Sequence, residues 1–564
     1  MRMSSSPLRF IGRVFLIGLV SWVAWLPAHA QTDGLQQLND PVHHFLERQK
    51  TLGHLPNLFV ANQPLSVYAA QAALDSLAAR DSLLSPADRH TLARLRGERP
   101  APGAEWANRR WSLLYANGHD MLSVAGDDYG LQLNPNSYFT YGTATGDAAS
   151  STTWRNSRGL RASGHLGDHL FFEARISENQ RRPPSAINIE EGSTAPRLGF
   201  VNRQVDGHYD YFDAVGMIGY RSKFFEVRFG RDRNRWGTGM GSVVLSNYAT
   251  AYDQLQIRTN VWRLQYTNLF ARFTQAEDTP PQGNRADAVQ PSRYGAFHRL
   301  ALNVTDRVQL EVFEAIIFAS EQDSTVSRQG FDVAYLNPVI FYRGVERELG
   351  SPDNAMVGIG GSWITPWKTT LYGQFILDEL VVGEIGKQWW ANKWGWLVGA
   401  HVAETGIPHL SARAEVARLR PYLYAHVFPP NAHAHYGDAL GYPTGPNSID
   451  TALFLDFRPP GRWHAELNVS YTRRGRNTAT QNFGSDPTRD SDTRVSDRGV
   501  EILQGVRQNQ WLLEGHVSWE LLPQFFVDGA FRATLIDDAR NGTTGFVNPY
   551  VALRWGVPFT SERY

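Results

Sequence analysis

The sequence predicts an all-β transmembrane barrel of about sixteen to eighteen antiparallel strands, led by a short helical segment. Three observations carry that expectation. The chain opens on an export-type leader. Its apolar periodicity switches from helical to alternating near residue 108, and very short joints then alternate with long polar ones.

The leader comes first. Arg2, Arg9 and Arg13 make a positive start, an apolar run spans Val14 to Leu26, and Ala28-His29-Ala30 precedes Gln31. This is the order of a secretory signal peptide over residues 1–30, cleaved between Ala30 and Gln31. No later stretch approaches the ~20 apolar residues that a spanning helix needs. An exported chain of this kind is therefore soluble or a barrel. Its 17 Trp, 22 Tyr and 29 Phe favour the barrel, although mean hydropathy is only −0.37. In a barrel only every second strand residue meets lipid, so the average stays polar. There is no Cys, which excludes disulfides, thiolate metal sites and cysteine nucleophiles. Lys plus Arg equals Asp plus Glu, and this balance gives no electrostatic reason to expect nucleic acid as a partner.

Residues 31–103 read as helical. Val42, Phe45 and Leu46 sit at helical spacing before a stop at Gly53. Ser66–Ala79 carries Val67, Ala70, Ala73, Leu74 and Leu77. A third helix starts at Ser85 with Pro86 in its first position and runs through Leu92 and Leu95. Pro100 to Gly103 mark the boundary with residues 104–564, the predicted barrel. There Trp463, Ala465, Leu467, Val469 and Tyr471 alternate with polar residues, as do Trp511 to Trp519 and Phe525 to Ala533. Gly167-Asp168, Pro459-Pro460-Gly461 and Leu521-Leu522-Pro523 are tight joints. Residues 178–206, 275–294, 319–333, 425–447 and 475–500 are long ones. Short periplasmic returns and long external loops produce that rhythm.

The polar strand faces carry Glu173, Arg175, Glu226, Arg228, Glu311, Arg413, Glu415, Glu466, Glu514, Asp528 and Arg532, which point inward if the apolar faces meet lipid. Mixed signs at that density predict a cross-linked lumen. The Gly/Arg-rich segment Gly230–Ser246 lacks the Gly-Lys-Ser/Thr ending of a phosphate loop. Two readings stand for it. It is an inward constriction whose Arg231, Arg233 and Arg235 offer forked donors to acidic sugars, next to Trp236 and Gly237, or an interior ion-pair cluster with carboxylates such as Glu226. Asp378 and Glu379 are strand neighbours on opposite faces, so without a bulge they cannot flank one glycosidic bond. No Gly-x-Ser-x-Gly elbow is present. No catalytic residue and no cofactor are expected. His426, His433 and His435 fall in a long loop with no third ligand at fixed spacing, and are expected to be solvated, with no metal. Trp389, Trp390, Trp394 and Trp396 cluster near Lys393, and Tyr422 and Tyr424 follow Arg420. Such rings serve either as an interfacial girdle or as a stacking surface for sugar.

Gly230–Ser246, Tyr335-Leu336-Asn337-Pro338, Leu371–Phe375 with Asp378-Glu379, Trp389–Lys393, Arg420-Pro421-Tyr422 and Pro443–Asn447 follow one another along the chain. With Phe45-Leu46-Glu47-Arg48 and Pro64-Leu65-Ser66 in the lead, this ordered set resembles the capsule assembly protein Wzi family, which includes gliding-motility RemB-like proteins. The Tyr-Leu-Asn-Pro and Arg-Pro-Tyr segments look closer to the latter. The resemblance implies an eighteen-stranded outer-membrane barrel with periplasmic helices that binds or organises capsular or other surface polysaccharide. Outer-membrane lipid, lipopolysaccharide and a periplasmic export or motility machinery are the implied further partners. A motility or adhesion component and a porin-like channel are the alternatives.

Overall fold

The computed structural model describes residues 41–96, 105, 108–109, 114–146, 151–184, 194–195, 199–205, 207–275, 292–319, 331, 333–337 and 353–559. The expected leader with Ala30 and Gln31, the Pro100–Gly103 boundary, Pro338 and Tyr564 lie outside them.

Among the described residues, three α-helices precede the barrel: α1 (Pro41–Thr51), α2 (Val67–Ala78) and α3 (Pro86–Leu95). Ser66 caps α2 by accepting from the Ala69 N–H at 3.3 Å, and Ser85 caps α3, with Pro86 following it. Both ends are where the sequence signals set them. Phe45, Leu46, Ala70, Leu74, Leu77 and Leu92 pack into one small core.

Eighteen antiparallel strands then close into a barrel. Each pairs with the next, and the last, Gly542–Trp555, returns to Ser137–Gly146 with Trp555 opposite Ser137. Closure has a physical cause. An unpaired backbone group facing hydrocarbon costs several kcal/mol, so a spanning sheet cannot keep an edge. Among the described residues no helix is long and apolar enough to cross a membrane.

The two faces are inverted relative to a soluble protein. On Phe225–Asp232, Phe225 and Phe229 are 50% and 64% exposed, whereas Glu226 and Arg228 are 2% exposed. The same order holds on Val506–Leu522, where Val517 faces out and His516 and Ser518 face in. Outward Trp463 stacks on Trp519 near the tight joints, and Tyr471 on Trp511 toward the other end. Rings at both ends of an apolar band suit the two headgroup layers. Val398, at the middle of Lys393–Val402, is 51% exposed. Val398→Arg is expected to lower barrel stability by about 2–4 kcal/mol in lipid vesicles, measured by urea unfolding. A loss below about 1 kcal/mol would put this position outside the apolar band.

The lumen holds protein from both ends. The helices enter at the end of the tight joints. Arg94 reaches Glu520 at 2.6 Å and Arg48 reaches the Ala403 carbonyl. Two segments, 233–251 and 420–447, fold in from the end of the long joints. Trp236, Val243, Val244, Leu245, Leu423, Tyr424, Leu440 and Tyr442 pack there against inward residues of the wall such as Phe273, Phe297 and Leu397. The joint 425–447, read from sequence as an external loop, thus lies largely inside.

Candidate functional site

The inward segment starts where Phe225–Asp232 ends. Asn234 turns it by donating to Gln254 Oε1 at 2.6 Å and to the Tyr252 hydroxyl at 3.0 Å. Arg235–Trp236 then pairs as a two-residue ribbon with Asn62–Gln63 of the helical lead. Trp236 is fully buried, edge-on to Phe297 at 6.0 Å. Gly237 has φ 130°, and a side chain there would meet Gln374, whose Nε2 donates to the Trp236 carbonyl at 2.8 Å. Beyond it, Glu415 gathers four donors: the Met240 and Gly241 N–H groups at 2.8 and 3.1 Å, and the Tyr372 and Tyr442 hydroxyls at 3.1 and 3.3 Å. Glycine is needed at 241 because a Cβ would run into the Tyr442 ring. His433 donates to the Val244 carbonyl at 2.7 Å, locking the two inward segments together.

The arginines do not act as a triplet. Arg231 is partly exposed and faces Asp253 at 3.3 Å, Arg233 pairs with Asp213 at 3.2 Å, and Arg235 reaches Glu47 of α1 at 3.6 Å. Glu226 is held instead by Arg228 and Arg258, at 2.7 and 3.3 Å. These two arginines also donate to the Leu65 and Pro64 carbonyls, so the Pro-Leu-Ser segment of the lead is docked on the wall. The three loop histidines are buried, contrary to the expectation of solvated rings. His426 accepts from the Phe428 N–H at 3.0 Å, and His435 accepts from the Thr274 N–H at 2.9 Å. The Gly-rich and aromatic apolar residues around them were the available sign of an inward fold. Asp378 accepts from the Tyr424 N–H at 2.9 Å and Glu379 meets Lys393 at 3.3 Å. A register shift does fall between Leu377 and Glu379, yet each carboxylate has its own partner.

At the end of the long joints, segments 380–392, 420–447 and 477–505 interlock. The Asn447 side-chain amide donates to the carbonyls of Gly475 and Gln504 at 2.7 and 2.8 Å, and its oxygen accepts from the Leu503 N–H at 2.6 Å. Trp390 is buried, edge-on to Tyr422 at 6.0 Å, with Arg494 stacked 4.0 Å above it. The Tyr422 hydroxyl donates to the Asn482 carbonyl at 2.8 Å. Arg420 ties the Trp389 and Val500 carbonyls at 3.3 and 3.0 Å, and Lys393 donates to the Ala425 carbonyl at 2.9 Å. Trp390, Lys393, Arg420 and Tyr422 therefore brace the platform from beneath. Trp389 is half-buried under Arg498, which grips Glu384 with two bonds at 2.9 and 3.2 Å. Lys387, Gln388 and Glu501 are exposed around it. A ring, a planar guanidinium and exposed amide and carboxylate groups on a braced platform suit a sugar with acidic or hydroxyl substituents. Arg494, Arg498 and Glu384 went unnoticed in the sequence, because no local pattern joins residue 384 to residue 498.

The family described as Capsule assembly protein Wzi matches residues 145–531. The solved structure of Wzi, described as an outer-membrane protein involved in group 1 capsule assembly in Escherichia coli and a carbohydrate-binding β-barrel, aligns with a TM-score of 0.52. It covers 94% of this chain and 100% of that one at 13% identity, a likeness of fold. OprD of Pseudomonas aeruginosa aligns at a TM-score of 0.40 and 8% identity over 76% of this chain and 96% of its own. OpdL of the same organism gives 0.39 and 9% over 76% and 99%. No curated protein matches the chain in sequence.

Proposed function

The chain belongs to the capsule assembly protein Wzi family, and from that premise we propose that it is an outer-membrane barrel that binds, anchors or helps assemble capsular polysaccharide at the cell surface. The observation that carries the reading is the braced platform around Trp389. Three long segments are cross-tied there to hold one indole, a forked Arg498–Glu384 pair and a rim of polar groups. Rigid placement lowers the entropy lost on binding a flexible chain. The long joints face the exterior in this proposal, and the helical unit faces the periplasm, where an export partner could meet it. The barrel wall contacts lipid and lipopolysaccharide. The role is one of binding, with no bond made or broken.

A strain lacking the protein is expected to shed polysaccharide into the medium while total glycan stays constant. Complementation with Trp389→Ala/Arg498→Ala is expected to restore the barrel but leave glycan binding by the purified protein about tenfold weaker, or about 1.4 kcal/mol. Unchanged cell-bound glycan in the deletion strain would remove the proposal. Full binding by the double variant would move the contact away from this platform.

A further inference from the structure

Between the helical unit and the wall, the end of the tight joints keeps a cavity of about 560 Å³. Of three adjacent strands, Ser448–Phe457 and Trp463–Arg476 line it with Asp456, His464 and Glu466, and Val506–Leu522 buries His516 beside them. Register brings them together. Asp456 lies opposite Glu466, Glu466 lies opposite His516, and His464 is two residues before Glu466 on the same face.

His464 Nε2 is 2.9 Å from Asp456 Oδ1 and 3.0 Å from Glu466 Oε1. His516 Nδ1 is 3.9 Å from Glu466 Oε2. One ligand atom from each of His464, Glu466 and His516 lies within 4.8 Å of the others. Four donors around an ion at about 2.0–2.1 Å stand about 3.3 Å apart, so these spacings bracket the need. His516 is buried, its ring flat against Phe559 at 3.5 Å, and its Nε2 has no hydrogen-bond partner. Hydrogen bonding therefore does not account for an imidazole at this place.

We propose that His464, Glu466 and His516 form a binding site for a divalent transition metal of the zinc class, with water from the cavity as the fourth ligand. Two imidazoles with carboxylate oxygens suit zinc, nickel or copper better than magnesium or calcium. Arg458 is the competing explanation, because it donates to Asp456 Oδ2 at 2.8 Å and Glu466 Oε1 at 3.1 Å. It shares Glu466 Oε1 with His464 and leaves Asp456 Oδ1 toward His464 and Glu466 Oε2 toward His516, as an outer partner that orients ligating carboxylates does. The cavity supplies the entry path. The site is independent of the glycan platform, which lies at the other end of the barrel.

The full chain, purified in detergent and stripped with a chelator, is titrated with zinc alone. The expected result is saturable binding of about one equivalent, with cobalt giving the absorption of a four-coordinate nitrogen/oxygen site. His464→Gln and His516→Gln are each expected to weaken zinc at least about tenfold, while His208→Gln on a distant strand leaves it unchanged. Heat-modifiable migration in electrophoresis reports that each variant is still a folded barrel. Absence of saturable zinc and of the cobalt band in the wild-type chain overturns the proposal without recourse to any variant. So does folded His516→Gln protein with wild-type affinity.

Discussion

Removing residues 41–96 together with the inward residues 238–245 is expected to turn a barrel that passes almost no current into one with discrete conductance steps in planar bilayers. The wall does not depend on either piece for its pairing, since its strands bond to each other all the way round. They supply the helical lead and the centre of one of the two inward segments, leaving 420–447 as the remaining filling. Trp236, Val243, Val244 and Leu245 pack there at 0–1% exposure, and Asn62–Gln63 of the lead pairs with Arg235–Trp236. A filled lumen lacks the aqueous path that conduction needs. Each deletion alone is expected to give smaller and less frequent steps than both together. If the intact chain already conducted steadily, the porin-like alternative would gain and the interior packing would have to be looser than described.

Glu47→Ala is expected to release the helical unit from the wall, at a cost of about 3–5 kcal/mol. Glu47 faces Arg413 at 2.8 Å and Arg235 at 3.6 Å, and it accepts from Gln63 at 3.2 Å. Removing one partner leaves two buried guanidinium groups short of their counter-charge. Limited proteolysis within residues 41–96 measures the release, and a loss of this size raises the opened population more than about a hundredfold. Burial alone pushes the Glu47 carboxyl up, but Arg413 and then Arg235 outweigh it and hold the group at about 2, below its ordinary 4.5. A lowered value means that the stabilisation is complete above 4.5 and is lost as pH falls through about 2. The wild-type unit is therefore expected to resist protease at pH 5 and to yield toward pH 2. Glu47→Gln should yield at both. A wild-type unit equally labile at both values would place its anchorage elsewhere, for instance at Arg94–Glu520.

The strands were legible because each carries its own signal. Phe225, Val227 and Phe229 alternate with Glu226 and Arg228 whatever the neighbouring strand contains, and the wall follows that alternation. The caps at Ser66 and Ser85 are local in the same sense. What the sequence hides is whatever register or inward folding decides. Arg231, Arg233 and Arg235 look like one group because they are adjacent, yet their carboxylates come from residues 253, 213 and 47. Glu466 and His516 stand 50 positions apart and meet only because their strands pair in one register. Long joints posed a different difficulty. A polar, Gly-rich segment reads alike whether it faces water or a lumen lined with hydrogen-bonding groups, so 425–447 looked external. The local hints of burial were the run Val243-Val244-Leu245 within a Gly-rich stretch and the aromatic and apolar residues around His433 and His435.

The ribbon between residues 62–63 and 235–236 fastens the lead to the barrel from within. Once Gly542–Trp555 has zipped to Ser137–Gly146 the cylinder has no gap in its side. With the side closed, the lead reaches the interior through the end of the tight joints, where Arg94 meets Glu520, and its ribbon ties that end to the segment that folds in from the other.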